Sequence, residues 1–360
     1  MIAEKVYELL ADALDRLPNG FPRTPTGVEI RLLKKIFSPE EADLARWLTH
    51  RLETVESITE RSGLPAEQTK KLLFQMLRRG MVWFEKEDGK RCFRLAPFVV
   101  GLYEAQLDMM DHELAHLVED YMANGGAAGI MKLEPALHRV LPTQDTVKTE
   151  WILPYEDVRS ILMSAKTYRV RDCICRVEQE YLGRKCEFPV HMCLSFSNIE
   201  RPMEEGDITR EEALALLNKS EEVGLVHTVS NVMKDIGYIC NCCGCCCGIL
   251  RGITDYGIQN SVAYANYYAV IDPEQCLGCG DCIERCQVGA ISEMDEVSVV
   301  NRERCIGCGL CVSGCPNDVP RLERKPEAER ILPPADFAAW EHERLVNRGL
   351  VDSDRKGVFS

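Results

Sequence analysis

The sequence predicts a multidomain α+β chain: a helical N-terminal domain ending in a small ribbon, a small α/β cysteine-rich domain, and a C-terminal segment built on a doubled cysteine run. Three observations predict it. Between residues 39 and 80, helix start and stop signals follow one another closely and lead into an alternating run around Asp88-Gly89. Of 19 cysteines, all but Cys92 fall between Cys173 and Cys315. The spacing C-x2-C-x2-C-x3-C occurs twice near the C-terminus. The domains expected from these signals are residues 1–125, 130–265 and 266–325, with a helical tail over 326–360.

Composition narrows the class. The 360 residues are 46% hydrophobic and 28% charged, as in a soluble globular chain. They contain no apolar run of about 18 residues, so no membrane span is expected. The N-terminus MIAEKVYELLADALDRL scatters acids through an amphipathic pattern instead of the basic and apolar regions of an export signal, which predicts a cytoplasmic protein. In a reducing cytosol, crowded cysteines at ligand spacings argue for metal or iron–sulfur ligation over disulfides. The net charge of −14 disfavours nucleic acid as a general partner and suits docking on basic surfaces.

Element by element, Ser38-Pro39-Glu40-Glu41 is a capping box with proline at the first helical position. A second helix opens at Ser57-Ile58-Thr59-Glu60 and stops at Gly63; a third covers PAEQTKKLLFQMLRR and stops at Gly80. MVWFEKEDGKRCFRL then predicts a hairpin turning at Asp88-Gly89. Three helices and a hairpin over Pro39 to Pro97 resemble a winged helix-turn-helix. Cys92, on the second hairpin strand, is expected to be a buried structural thiol. A helix over about Leu102–Ala123 and a break at NGGAAG follow. Beyond the break, extended runs HRVLP, EWILP and TYRVRD flank a helical DVRSILMSAK, and Thr209 caps a helix running to Gly224.

The doubled run carries the strongest chemistry. Cys276, Cys279, Cys282 and Cys286 form one copy; Cys305, Cys308, Cys311 and Cys315 form the second, 29 residues later. Three thiolates in a tight loop reach three corners of a [4Fe–4S] cube, and the fourth cysteine reaches the other cube. Gly278, Gly280, Gly307 and Gly309 let the backbone wrap closely around such a cluster. The segment resembles the bacterial dicluster ferredoxin. That resemblance implies two [4Fe–4S] clusters, one on Cys276, Cys279, Cys282 and Cys315 and one on Cys305, Cys308, Cys311 and Cys286. It also implies electron transfer with redox partner proteins. Gln287 departs from the pattern, standing where the first run usually has proline.

Upstream lie ten more thiols: Cys173, Cys175, Cys186, Cys193, and the run YICNCCGCCCGIL with Cys240, Cys242, Cys243, Cys245, Cys246 and Cys247. They predict an additional metal site, either one or more further iron–sulfur clusters or zinc, with redox-active free thiols as a third reading. Arg176, beside Cys175, would offset thiolate charge and donate to sulfur. His227 reads as a hydrogen-bonded structural residue, with a ligand or proton donor as the alternative. The order of these motifs resembles a family of cytoplasmic iron–sulfur proteins from anaerobes that join such a domain to a dicluster ferredoxin, often after a winged helix. Cys242-Cys243-Gly244 is similar to the CCG element of heterodisulfide reductases, whose wide spacings and following C-x2-C are absent here.

Two motifs are set aside. His112-Glu113-Leu114-Ala115-His116 has the H-E-x-x-H form, yet nothing downstream completes a zinc site, so a solvated helix face is expected. The third helix offers Lys70, Lys71, Arg78 and Arg79, but residues 40–94 carry eleven basic against ten acidic residues, a weak nucleic-acid footprint. The leading reading is an electron-transfer protein. The alternatives are a redox-sensing DNA-binding regulator and a reductase acting at the upstream thiols. Oligomeric state is not encoded in any of these motifs.

Overall fold

The computed structural model describes residues 2–351. The chain divides into two compact units: 1–134 with 177–184 and the segment from Glu341 onward, and 135–176 with 185–340.

In the first unit, Ser38 caps the helix Pro39–Ala45 with both arms of the box formed, an arrangement that contributes about 1 kcal/mol. The second helix, Val55–Ser62, starts two residues earlier than the sequence signal because Thr54 accepts the Ser57 N–H. The third is Ala66–Arg78. Strands Val82–Glu87 and Lys90–Leu95 pair around Asp88 and Gly89, both at positive φ, as a type I′ turn requires. Glu53–Thr54 adds a third antiparallel strand beside Lys90–Leu95. Cys92 is buried there. A single helix over Leu102–Ala123 does not form. A 3-10 turn at Glu104–Met109 ends at an extended Met110, and Asp111 starts a new helix, His112–Tyr121, by accepting the Leu114 N–H. On it His112, Glu113 and His116 are exposed, and Glu113 pairs with Lys35. The H-E-x-x-H motif is therefore a solvated face.

The second unit is built on a six-stranded antiparallel sheet ordered His138–Leu141, Val226–Ser230, Tyr238–Cys242, His191–Ser197, Thr167–Asp172 and Asp207–Ile208. Helices Val158–Met163 and Arg210–Glu222, the latter held by the Thr209–Glu212 capping box, share a core with this sheet. Leu162, Leu194, Phe196, Leu217 and Ile239 fill that core. Burying each such side chain contributes about 1.5–3 kcal/mol. EWILP is not a strand: Trp151 N–H turns back to Lys148 O and Leu153 N–H to the Glu156 carboxylate. Strand alternation then decides where the thiols go. Because Leu194 and Ile239 face the helices, Cys193, Cys240 and Cys242 face the other way.

The C-terminal part of this unit pairs strand Tyr267–Val270 with Arg321–Arg324 and folds Ile291–Met294 onto Val297–Val300. Between them lie two one-turn helices, Asp281–Glu284 and Leu310–Ser313, each entered through a glycine in the left-handed region. Among the described residues, no helix is long and apolar enough to cross a membrane.

Candidate metal centres

In the doubled run, Cys282, Cys305 and Cys311 are buried and Cys279 is exposed, and backbone amides supply donors to the sulfurs. Ser298 N–H donates to Cys276 Sγ at 3.4 Å, Ala269 N–H to Cys305 Sγ at 3.4 Å, and Ala290 N–H to Cys286 Sγ at 3.1 Å. The Cys282 thiol donates to Ser298 Oγ at 3.2 Å. A Cβ on Gly278 or Gly307 would run into the backbone carbonyl of Glu296 or Tyr267, so both loops need glycine for this approach. The Ser298 and Gly278 amides hold Cys276 below its ordinary pKa, toward the thiolate a metal needs. Burial pushes Cys308 up to about 12 and raises Cys305 and Cys311, so those thiolates would require a cation or cluster among them. Cys286, the last cysteine of the first run, lies within the electrostatic reach of Cys305, Cys308 and Cys311. Cys282 feels Cys276 and Cys279, and its charge also reaches Cys311.

The ten upstream thiols fall into two groups. Six form a closed ring of neighbours: Cys173 with Cys175 and Cys193, Cys193 with Cys240, Cys240 with Cys242, Cys242 with Cys247, and Cys247 back to Cys175. The register Leu194↔Ile239 brings Cys193 alongside Cys240, and the period of two puts Cys242 on the same face. After the strand, the backbone turns so that Cys247 N–H meets Cys243 O at 3.1 Å and the helix Gly248–Thr254 begins. That turn separates Cys243, Cys245 and Cys246 from the ring and sets them beside Cys186. These four sulfurs all lie within 4.8 Å of one another.

Arg176 serves both groups. It is buried; Nη1 donates to Pro189 O at 3.0 Å and Nη2 to Asn241 O at 2.9 Å. Its Nε is buried with no hydrogen-bond partner among the described residues. Burial works against its charge, but the thiolates of Cys173, Cys243, Cys242 and Cys186 outweigh burial and keep it firmly cationic. A buried, unspent N–H beside so many sulfurs fits an anionic metal–thiolate or iron–sulfur group, as do the amides aimed at Cys276, Cys286 and Cys305. His227 is fully buried, with Nδ1 at 2.7 Å from Asn241 Oδ1 and Nε2 at 3.0 Å from Glu221. Both ring nitrogens are engaged, so it is a structural residue that holds Asn241 between Cys240 and Cys242.

Four contributors were not visible as site residues in the sequence. Ser298, Ala269 and Ala290 act through backbone amides, for which side-chain identity carries no signal, and Ser298 adds its hydroxyl. Gln287 announced itself only as a departure from proline: its Oε1 accepts the Gly244 N–H at 2.8 Å, joining the two cysteine-rich loops.

Residues 269–321 match the family model of the 4Fe-4S dicluster domain. No curated protein matches the chain. The C-terminal part of the second unit is therefore an iron–sulfur dicluster domain of the ferredoxin type, and a second, cysteine-rich site lies upstream of it in sequence.

Proposed function

We propose that the protein is a cytoplasmic iron–sulfur electron-transfer protein of an anaerobic metabolism, exchanging electrons with a redox partner protein and with its own cysteine-rich site. Clusters bound at the two runs would supply one-electron storage at low potential. The observation that carries the reading is the match of residues 269–321 to the dicluster domain; the charge of Cys286 acting on Cys305, Cys308 and Cys311 is consistent with a crossed ligand set. On this reading Cys276, Cys279, Cys282 and Cys315 hold one [4Fe–4S] cluster, and Cys305, Cys308, Cys311 and Cys286 hold the other. The amides of Ser298, Ala269 and Ala290 tune the sulfurs, while burial of Cys282, Cys305 and Cys311 excludes water. Leu277, beside exposed Cys279, is 73% exposed and offers an apolar contact where a partner would approach.

The winged-helix reading of residues 39–97 supports protein docking better than DNA binding. Of the four cations on or just after the third helix, Arg79 is already bound to Glu41 at 2.7 Å and to the Ile36 carbonyl. Glu40, Glu41 and Glu67 line the same open groove as Lys71 and Arg78.

Protein purified without oxygen tests the reading by iron and sulfide content and by EPR after dithionite reduction. Two clusters in the doubled run require about eight irons per chain, and more would belong upstream. Cys286→Ser should remove the same EPR signal as Cys305→Ser and leave the signal lost in Cys276→Ser. If Cys286→Ser instead removes the signal that depends on Cys276, the crossed assignment fails.

A further inference from the structure

The ten upstream thiols are too many for one cubane, and they are not equivalent. Cys186, Cys243, Cys245 and Cys246 are drawn together so that every pair of sulfurs is within 4.8 Å, with Cys245 and Cys246 at 3.5 Å. Among the described residues, no other group of three or more potential ligand atoms closes to that spacing, and the two ferredoxin quartets are no exception. The spacing is informative because ligand geometry depends on what sits at the centre. A single tetrahedral zinc ion with bonds of about 2.3 Å sets its four sulfurs about 3.8 Å apart. A cubane interposes irons and sulfides between its thiolates and holds them further apart. The compact group has the spacing of a single-ion site.

The surroundings agree. Cys245 is exposed and Cys186 half-buried, so this group lies at the rim, while Cys243 and Cys246 pack with Met192 and Leu225. The Arg176 guanidinium lies within electrostatic reach of Cys243 and Cys186 of this group. The same guanidinium also reaches Cys173 and Cys242 of the ring, so one cation acts on both groups.

We propose that the upstream domain holds two distinct metal sites: one tetrahedral zinc-class ion on Cys186, Cys243, Cys245 and Cys246, and a separate six-thiol site on Cys173, Cys175, Cys193, Cys240, Cys242 and Cys247 for iron–sulfur chemistry. Binding the ion releases the remaining thiol protons to solvent and changes no oxidation state. A closed, four-sulfur ion has no open position for substrate, so its role is to pin the outer turn. That turn includes Gly244, which meets Gln287 of the dicluster segment. The six-thiol half of the proposal rests on the iron–sulfur reading above; the zinc half does not.

The test is metal analysis of the full-length chain, produced with both iron and zinc supplied and purified without oxygen, together with zinc K-edge absorption spectroscopy. One zinc per chain with four sulfur neighbours at about 2.3 Å is expected. Cys186→Ser and Cys245→Ser, both at partly accessible positions, should each cut zinc by at least half and leave iron unchanged. Cys193→Ser should lower iron and leave zinc unchanged. Absence of zinc from the parent protein, nitrogen or oxygen neighbours in the spectrum, or iron lost with Cys245→Ser would each overturn the division. If the variants do not fold, the spectrum of the parent protein decides. Failure of the electron-transfer reading would appear as missing ferredoxin iron with the zinc count unaffected, so the two failures are separable.

Discussion

Gln287 Oε1 accepts a hydrogen bond from the Gly244 N–H at 2.8 Å, and a Cβ on Gly244 would collide with the Gln287 backbone carbonyl. Gln287 directly follows Cys286, and Gly244 lies between Cys243 and Cys245, so this hydrogen bond directly joins the two cysteine sets. Proline at 287 would offer no side-chain acceptor. Gly244→Ala forces the two backbones apart and should cost about 1–3 kcal/mol, the usual penalty of overpacking. Gln287→Ala, which only removes the acceptor, should cost about 1 kcal/mol. Anaerobic thermal unfolding reads both, at about 2–4 °C per kcal/mol for a unit of this size. A Gly244→Ala protein as stable as the parent would mean that the loops are not in contact.

Arg176 should set the potential of whatever cluster the six-thiol ring holds. A buried cation stabilises the more negative, reduced state, so Arg176→Met should move that midpoint downward. At an effective dielectric near 20 and a separation of about 6 Å, one charge is worth about 3 kcal/mol, or about 130 mV for one electron. An anaerobic redox titration followed by EPR measures the shift. No shift, or one toward positive potential, would mean that the guanidinium only braces the Pro189 and Asn241 carbonyls.

What the sequence reveals and what it conceals divide on physical grounds. The dicluster domain is legible because its signature is local: both C-x2-C-x2-C-x3-C runs fall within residues 269–321. Capping boxes at Ser38 and Thr209 and the turn at Asp88-Gly89 are local too, and they appear as read. The fates of Cys242 and Cys243 are not local. They are adjacent in sequence, yet one closes the inner ring and the other joins Cys186, because the strand ends between them and the turn reverses direction. The expected single helix over Leu102–Ala123 fails for a related reason: Asp111 hydrogen-bonds the Leu114 amide more readily than it continues a helix.

His138 makes stability depend on pH. It is buried, its Nδ1 lies 3.2 Å from Thr228 Oγ1 and its Nε2 2.9 Å from the Tyr238 hydroxyl, and burial drops its pKa to about 4. The unfolded chain takes up this proton at about 6.5, so the folded state binds fewer protons between these two values. Stability from this group is complete above about pH 6.5 and is lost as pH falls through about 4. The span corresponds to about 3 kcal/mol. Chemical denaturation at pH 7.5 and pH 5 should show the parent losing more stability than His138→Gln; equal losses would remove His138 from the account.

Ser298 should distinguish the two ferredoxin clusters. Its amide donates to Cys276 and its hydroxyl meets Cys282, both in the first run, and it makes no hydrogen bond to a thiol of the second. Were a cluster bound, Cys282 would ligate as a thiolate and the Ser298 hydroxyl would donate to it, favouring the reduced state. Ser298→Ala removes that donor and keeps the amide. A hydrogen bond of about 0.5–1.5 kcal/mol converts to about 20–65 mV, so one midpoint should fall by tens of millivolts while the other stays put. Potentiometric EPR resolves the two signals. Equal shifts in both would show that Ser298 acts on the fold of the segment as a whole, and an unchanged pair would show that the hydroxyl contributes nothing to the Cys282 sulfur.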